Sequence, residues 1–154
     1  MGHITLEHQL REHAFVAGMG EPQISTLLRL AHEATFLEDE LVLVDGQHSK
    51  AFYLVTSGSV VVELRAPHFV VGVQALGPGQ VFGWSALLEN QDTLFQVRAR
   101  ERTSALRIES TAMQEACKAD PVLAAEILRR TLQVVAGRVK ATEIRFAEMC
   151  GVRV

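Results

Sequence analysis

Cysteine is scarce in this sequence. Cys117 and Cys150 are the only two among 154 residues, 33 positions apart and without the close spacing of a metal site. That argues against a disulfide framework or a zinc-built fold and points to a reducing, cytoplasmic setting. An excess of positive charge is also missing. Fifteen Lys and Arg face eighteen Asp and Glu, for a formal net charge of −3, so the chain lacks the basic surface that non-specific nucleic-acid binding requires. No apolar run approaches the roughly 18 residues needed to span a bilayer. The first stretch, Met1 to His13, is too polar for a signal peptide. Nowhere do proline, glycine and serine gather into a linker, and there is no internal repeat.

What is present is enough apolar material for one ordinary domain: 48% of the residues are hydrophobic and 21% charged. Thr5 to about Ala34 reads as helical, interrupted at Gly18-Met19-Gly20, with Pro22 suited to a new helix start. From Thr35 the pattern changes to short apolar runs separated by Asp45-Gly46, Ser57-Gly58, Ala66-Pro67 and Gly77-Pro78-Gly79. Runs of this length, rich in Val and Phe, predict an antiparallel sandwich or barrel up to about Glu109. Within it, Trp84 to Glu89 has the composition of a one- or two-turn helix.

After Glu109 the chain returns to helix. Ser110 to Lys118 forms one short segment, and Asp120-Pro121 provides an N-cap and a first-position proline for the next. From Val122 to about Met149 there is no proline and one glycine, Gly137. At about 1.5 Å per residue this helix would run roughly 42 Å. Leu128, Leu132, Val135, Val139, Thr142, Phe146 and Met149 follow alternating spacings of four and three, the a/d seam of a coiled coil. The first half of that stripe is expected to pack on the barrel and the second half to pair with another copy of the chain.

The order of these elements, with Asp45-Gly46, Phe52-Tyr53-Leu54-Val55, Ser57-Gly58, Leu76-Gly77-Pro78-Gly79 and Val81 to Leu88, resembles the cyclic-nucleotide-binding domain of the catabolite-activator and FNR superfamily of bacterial regulators. The resemblance runs from about His13 to Phe146. It implies an α+β, mainly β fold: an antiparallel jelly-roll-like β barrel (a double-stranded β-helix) flanked by N-terminal helices and a long C-terminal helix. Helices would cover about 5–34, the barrel about 35–109 and the C-terminal helices about 110–149. Gly46, Gly58, Gly77 and Gly79 would sit where turns favour positive φ.

The resemblance also implies a site. The segment after Phe-Gly forms a phosphate-binding cassette in the family, normally Phe-Gly-Glu-Leu-Ala-Leu followed by an Arg that pairs with the phosphate. Phe82, Gly83, Trp84, Ser85 and Ala86 occupy that segment here, so the Glu position is held by Trp84. The Arg position and its neighbour fall at Thr93 and Leu94, and no Arg or Lys occurs from Val81 to Val97. Loss of a charge-assisted hydrogen bond to phosphate costs about 1.5–3 kcal/mol, or roughly one to two decades of affinity. Ordinary cyclic nucleotides are therefore expected to bind weakly through the usual contacts. Arg98, Arg100 and Arg102 read as a solvated strand face. Thr142 matches a position where a family Thr can reach the base.

Two functions follow as expectations. One is a non-catalytic small-ligand sensor, with no resident cofactor, taking a cyclic nucleotide or another small anion at the cassette. The other is a ligand-free interaction and dimerisation module whose pocket is plugged by Trp84. In both, output passes through a homodimer and a protein partner, because the sequence carries no helix-turn-helix segment for direct DNA binding. Metal binding is not expected: His3, His8 and His13 are spaced by five, about 140° apart on a helix. Gly83-Trp84-Ser85 lacks the second glycine of a nucleophile elbow.

Overall fold

A computed structural model describes residues 5–47, 49–88 and 95–153. Helix α1 (Leu6–Glu12) is started by Thr5, whose hydroxyl accepts the His8 N–H at 3.2 Å. A 3-10 turn (Ala14–Val16) leads to α2 (Glu21–Leu30), which carries Pro22 in its first turn. Arg11 joins the two helices with a bidentate pair to Glu21, both contacts at 2.7 Å.

Eight strands follow: β1 (His32–Phe36), β2 (Leu41–Leu43), β3 (Ala51–Ser57), β4 (Val60–Arg65), β5 (Val70–Leu76), β6 (Val81–Phe82), β7 (Gln96–Ala99) and β8 (Thr103–Glu109). They form two four-stranded sheets, ordered β1-β8-β3-β6 and β2-β7-β4-β5, with every pairing antiparallel. The mainly β, jelly-roll-like architecture with flanking helices is as the sequence predicts. The helical reading up to Ala34 overruns, however, because α2 ends at Leu30 and β1 begins at His32. Pairing of His32 to Phe36 with Arg107 to Thr103 of β8 decides those residues, a partner that local periodicity does not contain. Of the four expected turn glycines, Gly77 has no positive φ; it is fixed instead by its N–H donating to Gln80 Oε1 at 2.8 Å.

The two faces of β3 show where the core lies. Ala51, Tyr53 and Val55 point between the sheets and pack with Val60, Val62, Leu76, Phe82, Val97 and Ala105. Phe52 and Leu54, on the opposite face, pack with Leu106 and Ile108 of β8 against a helical layer that includes Leu10, Phe15, Leu27, Met113, Leu123 and Ile127. β3 and its neighbour β8 are thus buried on both faces.

Helix α3 (Ser110–Ala119) runs into α4 (Pro121–Met149), and the N-cap between them is Asp120, whose carboxylate accepts the N–H groups of Val122 and Leu123 at 3.0 and 3.2 Å. Leu123, Ile127 and Thr131 of α4 are buried, with Val134 packed against the same core. The predicted seam is a different stripe. Leu128, Leu132, Val139, Phe146 and Met149 are 54%, 67%, 50%, 68% and 85% exposed. The expectation that the first half of the seam packs on the barrel is therefore corrected: the stripe one position earlier, at Ile127 and Thr131, does the docking. Among the described residues no helix is long and apolar enough to cross a membrane.

Candidate functional site

Strand β6 ends at Phe82, whose ring stacks on Tyr53 with centroids 4.7 Å apart and planes 10° apart. The chain then turns at Gly83, with φ 80°. A Cβ there would lie 2.5 Å from the Ala51 carbonyl oxygen, 3.1 Å from Ser49 Oγ and 3.3 Å from Tyr53 Cδ2. Both the left-handed conformation and the close approach to β3 require glycine. A short 3-10 helix (Trp84–Leu87) follows, in which Ser85 and Ala86 are buried.

Two side chains of α3 anchor this helix. The Ala86 carbonyl accepts from Ser110 Oγ at 2.7 Å and from Gln114 Nε2 at 3.0 Å. Leu87 continues the connection, because it shares a small cleft with Cys117 of α3 and with Ile127 and Leu128 of α4. The cassette helix is thus in direct contact with both C-terminal helices.

Trp84 is half-buried and packs against the helical-side core, not among the residues between the sheets. What occupies the interior beside Gly83 is the Phe82–Tyr53 stack, extended by Phe36, whose ring meets Tyr53 edge-on at 5.8 Å. Next to that stack, between β2 and the start of β3, is a cavity of about 230 Å³ with Leu43, Ser49, Lys50, Tyr53 and Arg107 on its wall. Arg107 lies over the Tyr53 ring, 5.9 Å from its centroid, and its Nε donates to Tyr53 Oη at 3.2 Å. Glu109 completes its coordination through an ion pair.

Arg107 is a cation that motif matching does not find. The available signal is the alternation of β8: Ala105 faces the interior while Leu106 and Ile108 face the helices, so a charged residue two positions after Ala105 stands on the interior face. Arg98 is committed elsewhere. Its Nε meets Glu63 Oε1 at 3.2 Å and its Nη1 donates to the Asp39 carbonyl at 2.8 Å.

The structure brings Phe82, Gly83, Ser85 and Ala86 together beneath β3 and α3, with Trp84 at their edge. Thr93 and Leu94 lie outside the described residues. Thr142 is exposed, with its hydroxyl donating to the Arg138 carbonyl at 2.9 Å, and it lines neither the cavity at Tyr53 and Arg107 nor the larger one beside α4. Of the seam residues, Val135 is half-buried and the others are exposed. Both cysteines are free, Cys117 half-buried and Cys150 exposed. Among the described residues no group of three or more His, Cys, Asp or Glu is placed to hold a metal ion.

Two antiparallel sheets, a short helix after Phe82-Gly83 and a long C-terminal helix define a ligand-binding β-roll of the regulatory type. The chain belongs to the cyclic nucleotide-binding domain family, whose model it matches over residues 33–120. Among solved structures it is similar to a cyclic nucleotide-binding domain from Methylobacillus flagellatus KT, with a TM-score of 0.82 and 16% identity over 93% of this chain and 83% of that one. A second similar structure, a putative cyclic nucleotide-binding protein from Geobacter metallireducens GS-15, gives 0.77 and 18% over 88% and 98%. The catabolite activator protein of Thermus thermophilus gives 0.71 and 19% over 89% of this chain and 63% of that one. At these identities the likeness is one of fold. No curated protein matches the sequence.

Proposed function

We propose that the chain is a non-catalytic regulatory module that binds a small anionic ligand of non-standard type at the degenerate cassette. The observation that carries this reading is the cavity lined by Ser49 and Tyr53, the two side chains that approach Gly83. A cation, Arg107, stands on its wall within a chain segment different from the one that supplies the family Arg. In this reading Arg107 turns from Glu109 to the ligand, Lys50 and Ser49 add polar contacts, and the ligand's apolar part rests near Leu43 and Tyr53. Movement of the Trp84–Leu87 helix then reaches α3 through Ser110 and Gln114, and α4 through Leu87.

The exposed a/d stripe of α4 supports homodimerisation, with the output delivered to a further protein rather than to DNA, in the cytoplasm. The ligand-free alternative needs Trp84 to fill the interior, and its packing on the helical side does not favour that. Thermal-shift measurements against cyclic mononucleotides, cyclic dinucleotides and common phosphorylated metabolites test the proposal. Stabilisation by at least one compound is expected; no response across the panel would remove the basis for a sensor.

A further inference from the structure

Among the described residues the two sheets end in four outer strands, β1, β6, β2 and β5. Three of these edges are poor templates for a further strand. β6 has two residues and β2 three, the latter set between Glu38, Asp39, Glu40 and Asp45. β1 carries an exposed Glu33. β5 is different. It runs for seven residues, pairs among the described residues with β4 alone, and has no charge or proline from 69 to 77.

The start of this strand is open. Phe69, Val70 and Val71 are 62%, 47% and 40% exposed, a run of apolar side chains that a free surface rarely carries. The β4–β5 hairpin closes with the Ala66 N–H on the Phe69 carbonyl at 2.8 Å. Antiparallel pairs alternate from there, so Val71 turns its backbone groups to Leu64 of β4, while Val70 and Gly72 turn theirs outward. A bulge between Val62 and Glu63 leaves Val73 without a partner, so the regular part of the edge is residues 69–72. Gly72 leaves room beside Val61, whose Cγ2 would lie 3.3 Å from an added Cβ, and a strand glycine of this kind suits close approach of another backbone.

Unpaired strand groups are completed by an extended backbone, and the surrounding side chains set its chemistry. The cation beside this edge is Arg65, opposite Val70. Its side chain is 64% exposed and meets Asp45 at 3.5 Å, beyond normal hydrogen-bond length. A second copy of β5 would bring Arg65 no carboxylate, because residues 69–77 contain none. A different chain can.

We infer that the β5 edge docks an extended segment of a partner protein, added antiparallel to β5, with β-branched or aromatic side chains along residues 69–72 and a carboxylate at its end for Arg65. This gives the output partner of the proposed function a place on the roll. It rests on that reading only there, since no small ligand takes part.

Fluorescence anisotropy of a labelled octapeptide of alternating Val and Thr ending in Glu-Glu, titrated with the full chain without small ligands, tests this. Saturable binding is expected, with the Val70 and Gly72 amides gaining protection from hydrogen exchange. Val70→Pro removes an outward N–H at an edge position that accepts proline, and should weaken binding roughly tenfold or more. The parent should show the same loss toward a peptide N-methylated at alternate residues, a control that does not depend on the variant's fold. Arg65→Glu, or Lys-Lys in place of Glu-Glu, should lower affinity about two- to fivefold.

Absence of binding, equal affinity for the methylated and unmethylated peptides, or protection at β1 or α4 in place of β5 would overturn the inference. So would a parent assembly larger than a dimer that Val70→Pro reduces, which would assign the edge to a second copy. A silent small-ligand panel with intact peptide binding would remove the sensor reading and leave this surface standing.

Discussion

Gly83 concentrates the local demands of the cassette in one residue. Its φ of 80° and the 2.5 Å approach of a would-be Cβ to the Ala51 carbonyl act together. Gly83→Ala is expected to cost about 2 kcal/mol or more, since a left-handed non-glycine residue alone costs 1–3 kcal/mol; urea denaturation reads this directly. His13 makes a second prediction at this scale. Its buried ring bonds the Val55 carbonyl through Nε2 at 2.9 Å and accepts the Phe15 N–H at Nδ1 at 3.1 Å, which fixes the neutral Nε2–H tautomer. Desolvation lowers its pKa, outweighing the Val55 bond. Below about pH 6.5 the unfolded chain then binds a proton that the folded chain refuses, so stability is full above that pH and falls as the pH drops below it. Urea midpoints at pH 7.5 and 5.5 should differ less in His13→Gln than in the parent.

At the scale of elements, the two-residue signal Asp120-Pro121 does what it predicts: the carboxylate caps α4 and the proline opens it. Asp120→Ala is expected to destabilise the chain by about 1 kcal/mol, measurable by chemical denaturation. Local chemistry of this kind made most elements legible, including the short helix after Gly83 and the break at Gly18. What stayed illegible depends on tertiary partners. His32 to Ala34 extend because β8 pairs with them, and no residue of α2 announces that. The same holds for Arg107, whose neighbours Tyr53 and Glu109 come from β3 and from the end of its own strand. Thr142 matches a family position in sequence; the cavity beside α4 is lined from Arg130 to Arg138, one turn before it. For α4, two apolar stripes one position apart compete in the sequence, and only packing tells that Ile127 faces inward and Leu128 outward.

The whole molecule is a β-roll with a helical layer on one sheet and a long helix whose outer stripe is apolar. Exposed Leu132, Val139 and Phe146 leave an unusually apolar face on one chain. Leu132→Glu is expected to convert a dimer into a monomer on light scattering with size-exclusion chromatography, with thermal stability of the roll little changed. A monomeric parent would contradict the seam. The net charge of −3 fits a module that meets a small anion at a chosen arginine rather than a polyanion over its whole surface.

The central claim is that Arg107 replaces the missing cassette cation. Isothermal titration of the compound found to stabilise the chain, against the parent and against Arg107→Gln, tests it most directly. The account predicts saturable binding of that compound with an affinity that falls roughly 10- to 100-fold in Arg107→Gln. Identical binding curves for the two proteins would contradict it.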